Sequence, residues 1–138
     1  MIHQNLCEIG GKMDKAIEER NKSCADRIYE HLKERIKYFG EIINSMNEND
    51  GKIVLSDGTT YEDIFDWLNQ CVLFYGDDPH YRAKRMELSW GGPQDYFLFF
   101  EDETIEYWLL DWFDSARMEL EGEEYEIMIQ IYDMLGGE

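Results

Sequence analysis

The sequence predicts an α+β fold: a long N-terminal helix and a second helix packed on a four-stranded antiparallel meander, with a C-terminal helix. Three observations carry this. Between Glu87 and Leu120 apolar and polar residues alternate with a period of two, and nine of the chain's 20 aromatics (4 Trp, 9 Tyr, 7 Phe) fall there. Ahead of that stretch apolar residues recur at steps of three or four, and behind it a short pattern of the same period closes the chain. Helical runs set apart from a run of strands indicate α+β rather than a parallel α/β arrangement.

Residues 1–13 show no period and contain Gly10-Gly11, which predicts an irregular start. Residues 14–47 read as helix, bent or split at Gly40, with a stripe of Ala25, Ile28, Leu32, Ile36, Phe39, Ile43 and Met46, and with Ile17 and Ile42 beside it. The opposite face carries alternating charges, among them Arg20, Arg27, Glu30, Lys33, Glu34 and Arg35. The stripe lasts only about three heptads and includes a 4-4 step at Leu32 and Ile36, so a helix covering a sheet is favoured over a coiled coil.

Asn49-Asp50-Gly51 ends that helix. Residues 52–76 then supply one short strand, Lys52 to Leu55, and a second helix from Thr60 to Gly76. Thr60-x-x-Asp63 resembles a capping box, Gly76 stands where a C-terminal cap belongs, and Ile64, Phe65, Leu68, Cys71, Val72 and Tyr75 form the expected buried face.

Residues 81–120 are the meander. Met86, Leu88 and Trp90 alternate inward against Arg85, Glu87 and Ser89; Tyr96 to Phe100 is apolar on both faces, as in a central strand. Thr104 to Leu110 and Ala116 to Leu120 follow, separated by turns at Glu101-Asp102-Glu103 and at 111–115. Short connections predict a simple up-and-down order. Residues 123–135 form the last helix, with acids in its first turn, where they favour the helix dipole, and Gly136 at its end.

At 138 residues, 43% of them apolar, the chain has the length and burial of a single domain spanning 1–138. No apolar run reaches the roughly 18 residues of a membrane span, and no basic-then-apolar leader opens the chain. Cys7, Cys24 and Cys71 are odd in number, far apart and not in a C-x-x-C pair, so reduced thiols and a cytoplasmic location are expected.

Charge narrows the function further. The chain has 31 acids against 13 Lys and Arg, a net charge of −18. Residues 91–138 hold 14 acids and one base, Arg117. Such a surface repels phosphate backbones and anionic lipids and favours a basic partner. Carboxylates two residues apart on a strand lie about 6.7 Å apart, close to the phosphate spacing a basic groove accepts. Glu101, Asp102, Glu103, Glu106, Asp111, Asp114, Glu119, Glu121, Glu123, Glu124 and Glu126 therefore form a candidate partner-binding surface, with Trp112 and Phe113 as aromatic anchors. A surface that is simply solvated and acidic fits the composition equally well.

Other chemistry is set aside. The acids fall mainly at turns, away from the burial that raises a catalytic carboxyl, so no catalytic pair is assigned. His31 with Glu30 and Glu34 offers too few donors for a metal centre, and Gly91-Gly92-Pro93 lacks the helix and Lys of a phosphate loop. No cofactor is expected.

The small size, the acidic sheet and the segments LSWGGPQDYFLFF and IEYWLLDWFDSARMELEGEEYE resemble small inhibitor proteins of phages and mobile elements, among them anti-CRISPR and antirestriction proteins. The resemblance covers about the last 50 residues and carries no diagnostic motif. It implies a non-enzymatic inhibitor in the host bacterial cytoplasm that binds a bacterial defence nuclease complex, by imitating DNA at its basic surface or by locking its conformation. The alternative is an acidic adaptor that forms a homodimer through its N-terminal helix.

Overall fold

The computed structural model describes residues 23–136, and the expectations for 1–13 and for the first part of the long helix lie outside them. Among the described residues three helices and two antiparallel sheets make an α+β fold. In chain order the elements are α1 (Cys24–Glu48), β1 (Ile53–Val54), β2 (Thr60–Tyr61), α2 (Ile64–Cys71), β3 (Phe74–Asp77), β4 (Ala83–Trp90), β5 (Gln94–Phe100), β6 (Ile105–Asp111), β7 (Asp114–Glu119) and α3 (Gly122–Met134). The strands β1 and β2 form a small hairpin sheet, and β3 to β7 form an up-and-down sheet in sequential order.

The expected helix does not run unbroken from Asp14, because Ser23 is extended (φ −72°, ψ 165°) and its Oγ accepts the Asp26 N–H at 3.2 Å. This side-chain bond satisfies one of the four unpaired donors that open a helix, so α1 begins at Cys24. Gly40 does not split α1, which runs as one element; it faces α3, with Ile127 Cδ1 3.7 Å from where a Cβ would stand. At the far end Asp50 and Gly51 take positive φ, and the Gly51 N–H donates to the Met46 carbonyl at 2.8 Å.

The buried side of α1 is Ile28, Leu32, Phe39, Ile42 and Ile43, joined by Arg27 and Arg35, whereas Ala25 is exposed. Placing those two arginines on the solvent face is therefore corrected, and the reason is that each meets an acid of the sheet. Of the stripe that a coiled-coil seam would use, Ile28, Leu32, Phe39 and Ile43 are buried in the core, and Ile36 and Met46 pack against it.

The second helix is shorter than expected. Thr60 belongs to β2, Asp63 rather than Thr60 is the N-cap, accepting the Asp66 N–H at 2.9 Å, and the chain leaves the helix at Val72. Trp67 is buried where Phe65 was expected, and Phe65 is half exposed. Phe74 to Asp77 is a fifth strand, paired with Lys84 to Glu87, so the sheet has five strands and not four. Gly76 consequently caps nothing; the Phe74 ring lies over it, 3.0 Å from the position of an added Cβ.

All three helices pack with the sheets around one buried cluster, with α1 and α3 on one face of the large sheet. Phe39 stands edge-on to both Trp67 (5.5 Å) and Phe97 (5.9 Å), and Phe99 stacks on Tyr132 at 4.7 Å. Such aromatic pairs add roughly 0.5–1.5 kcal/mol each beyond their area of burial. A smaller cluster of Ala83, Tyr96 and Leu98, with Phe100, Trp108 and Leu110, covers the other face. No described helix lies over that second face.

Trp90 was expected to point inward, but it is 64% exposed. A register shift between Glu87 and Ser89 inserts one extra residue into β4, which turns Ser89 toward the helices and Trp90 away. Ser89 Oγ then donates to the Gly91 and Pro93 carbonyls at 3.0 and 2.9 Å, alternatives within one tight loop. The thiol expectation also changes: Cys24 is free and buried, while Cys71 is disulfide-bonded. Pairing of cysteines follows spatial approach, which sequence separation does not reveal.

Candidate partner-binding surface

Antiparallel order decides where the predicted surface falls. The β5–β6 turn, the end of β7 and the start of α3 share one end of the sheet, because Glu106 pairs with Glu119 and the Leu120 N–H donates to the Ile105 carbonyl at 2.9 Å. The Tyr125 hydroxyl ties α3 to the turn, donating to the Glu103 carbonyl at 2.7 Å. This end gathers Glu101, Asp102, Glu103, Glu106, Glu119, Glu121, Glu123, Glu124 and Glu126.

Of these, Glu101, Asp102, Glu103, Glu119, Glu121, Glu123 and Glu126 are exposed and make no ion pair among the described residues. Three of them, Asp102, Glu103 and Glu126, act on Tyr125. Burial first, and then the charges of Glu103, Glu126, Asp133 and Asp102, push its phenol above the ordinary value of 10.0. The turn itself is held by Asp102, whose Oδ1 accepts the Thr104 N–H at 3.0 Å, and that bond keeps its carboxyl below the ordinary 3.8. Glu103 takes the left-handed conformation (φ 73°) that closes the turn.

Nearby bases are largely used within the chain. Lys84 pairs with Asp77 at 2.8 Å, Arg85 with Asp78 at 3.1 Å and Glu87 at 2.9 Å, and Arg117 reaches Glu106 at 4.0 Å. Arg82 shares the acidic end and makes no ion pair among the described residues; its carbonyl accepts the Glu101 N–H at 3.3 Å.

Trp112, Phe113, Asp111 and Asp114 lie at the other end, in the β6–β7 turn. Six steps along β6 separate the two ends by about 20 Å. Trp112 and Phe113 project into solvent, and Trp112 has a positive φ of 56°, which non-glycine residues rarely adopt. The two aspartates serve the fold. Asp111 Oδ2 pairs with Arg27 Nη2 at 2.9 Å, and Asp114 Oδ2 accepts the Cys24 N–H at 2.7 Å, fixing the start of α1 to the hairpin. The structure thus brings nine predicted acids together and leaves the two aromatic anchors at the opposite end.

The most tightly buried polar group escaped the sequence reading. Arg35 chelates Asp95 through Nε (2.8 Å) and Nη2 (2.9 Å), and the Tyr107 hydroxyl donates to Asp95 Oδ2 at 2.6 Å. Arg35 is 3% and Asp95 2% exposed. Burial and then the Asp95 charge push the Tyr107 phenol well above 10.0, which keeps it a donor. A signal was present in α1: Ile28, Leu32, Arg35, Phe39, Ile42 and Met46 step by 4-3-4-3-4, a more regular stripe than the one through Ile36.

Among the described residues no group of three or more His, Cys, Asp or Glu is arranged to hold a metal, and no helix is long and apolar enough to cross a membrane. Compared with family models, curated proteins and solved structures, the chain matches none.

Proposed function

We propose that this protein is a non-enzymatic inhibitor whose acidic end occupies a basic nucleic-acid-binding surface of a bacterial defence nuclease complex, as an anti-CRISPR DNA mimic does. One observation carries the reading: seven exposed carboxylates, from the β5–β6 turn through the first turns of α3, are grouped and make no ion pair among the described residues. Ordinary solubility of a small domain needs a net charge of only about 2 to 8 in magnitude, so concentrating acids this way costs stability without need. A partner rich in Arg and Lys offsets that cost on binding and gains fast, steered association. The aromatic turn at Trp112 and Phe113, about 20 Å away, serves as a second contact on a large partner rather than as part of the same patch.

The test is competition. A labelled DNA duplex bound to a CRISPR effector or restriction nuclease is titrated with the protein at low salt. Displacement by the wild type, weakened about tenfold or more by E101Q/D102N/E103Q, is the expected result. If the duplex stays bound across a panel of such complexes, the reading fails; if the triple variant displaces DNA as well as the wild type, inhibition works by conformational locking from another surface.

A further inference from the structure

We propose that β7 pairs edge to edge with β7 of a second copy of this chain, antiparallel and centred on Met118, so that Arg117 of each copy faces Glu119 of the other. The strand ends the order β3-β4-β5-β6-β7, so among the described residues only one of its sides is bonded to a strand. Free edges invite pairing, and proteins commonly blunt them with charged side chains, lysine above all, or with proline or a bulge; the charges of β7 are of mixed sign, Asp114, Arg117 and Glu119. The six residues of β7 contain neither proline nor lysine, and their register with β6 is unbroken from Glu106↔Glu119 to Asp111↔Asp114. Ser115, Arg117 and Glu119 are exposed.

Charge selects the occupant and the register. Within the sheet Glu119 stands directly opposite Glu106, and like charges in that position repel. Arg117 relieves this little: it reaches Glu106 at 4.0 Å, sits 5.5 Å above the Trp108 ring, and keeps a side chain 59% exposed. Glu119 makes no ion pair among the described residues. Arg117 is also the single base of residues 91–138, so it is where a second, equally acidic copy meets positive charge.

Residues 117 and 119 point to the same face of the sheet, the one without a described helix. A two-fold axis at Met118 then creates two reciprocal Arg–Glu pairs and closes after two copies. Moving the axis to residue 117 sets Arg against Arg, and moving it to 119 sets Glu against Glu. One register satisfies both charges.

Sedimentation of the full chain, from about 1 to 500 µM, tests this independently of the acidic end. The expected result is a reversible dimer that R117E and E119R each weaken by about tenfold or more, and that R117E/E119R restores because the reciprocal pairs are exchanged. E119Q, which removes the charge without reversing it, weakens the dimer less than E119R. The variant E101Q/D102N/E103Q dimerises like the wild type, so loss of DNA competition and loss of dimer are separable. Circular dichroism confirms that each variant is folded. A monomer at all concentrations overturns the proposal, as does a dimer indifferent to both single reversals or a double variant no tighter than the singles.

Discussion

Arg35, Asp95 and Tyr107 hold α1 to β5 and β6 through a buried ionic contact in an otherwise apolar layer. Replacing such a group by well-packed apolar residues is often neutral, but removing one partner strands the other charge and costs about 3–5 kcal/mol. We expect D95A to lower the unfolding free energy in urea by that amount. Y107F, which deletes one hydrogen bond to a charged acceptor, should cost about 1.5–3 kcal/mol. A D95A loss under about 1 kcal/mol would mean that the guanidinium finds water or another acceptor. The contact was hidden in the sequence for a physical reason: charge argues for solvent, and only an acid on a different element reverses the argument. Asp95 lies 60 residues from Arg35, and nothing local marks it.

The start of α1 and the β6–β7 hairpin stabilise each other through Asp111 and Asp114. The Cys24 N–H holds the Asp114 carboxyl below its ordinary 3.8. A carboxyl lowered in the folded state contributes stability that is fully present above the unfolded value and is lost as pH falls through the folded one. D114N retains an acceptor but not the charge. The wild type should therefore be more stable than D114N at pH 6, and the gap should close as pH falls below about 4. Urea melts at a series of pH values measure it, and a gap independent of pH would remove the charge from the account. Glu87 runs the other way: burial raises its carboxyl above 4.5, so its contribution is present at low pH and lost as pH rises through the folded value.

The elements divide by how local their causes are. The strands β4 to β7, their turns and α3 were legible because alternation, turn residues and first-turn acids are local signals. The strand β3 was not. Leu68, Cys71, Val72 and Tyr75 keep a helical spacing that pairing with β4 overrides, beginning where the Leu73 N–H donates to the Glu87 carbonyl at 2.9 Å. The bulge that turns Trp90 outward is likewise a property of two strands together. For the candidate surface, the sequence identified the acids, but antiparallel topology decided that nine of them meet at one end while Trp112 and Phe113 stand at the other.

Across the molecule the charge is uneven in a directional way. Arg27 and Arg35, from the N-terminal helix, are drawn into contacts beneath the sheet, Lys84, Arg85 and Arg117 are engaged along it, and the acidic end keeps its carboxylates in water. Edge pairing through β7 would give the assembly two such ends. Exposed charges lose their mutual influence beyond the screening length, about 10 Å at 0.1 M salt and 30 Å at 0.01 M. The central claim, that this end is a binding surface for a basic groove, is tested most directly by the salt dependence of affinity for the target nuclease complex, wild type against E101Q/D102N/E103Q. The account predicts that wild-type affinity falls steeply between about 50 and 200 mM salt and that the triple variant has a shallower slope. Equal slopes in the two proteins would contradict it.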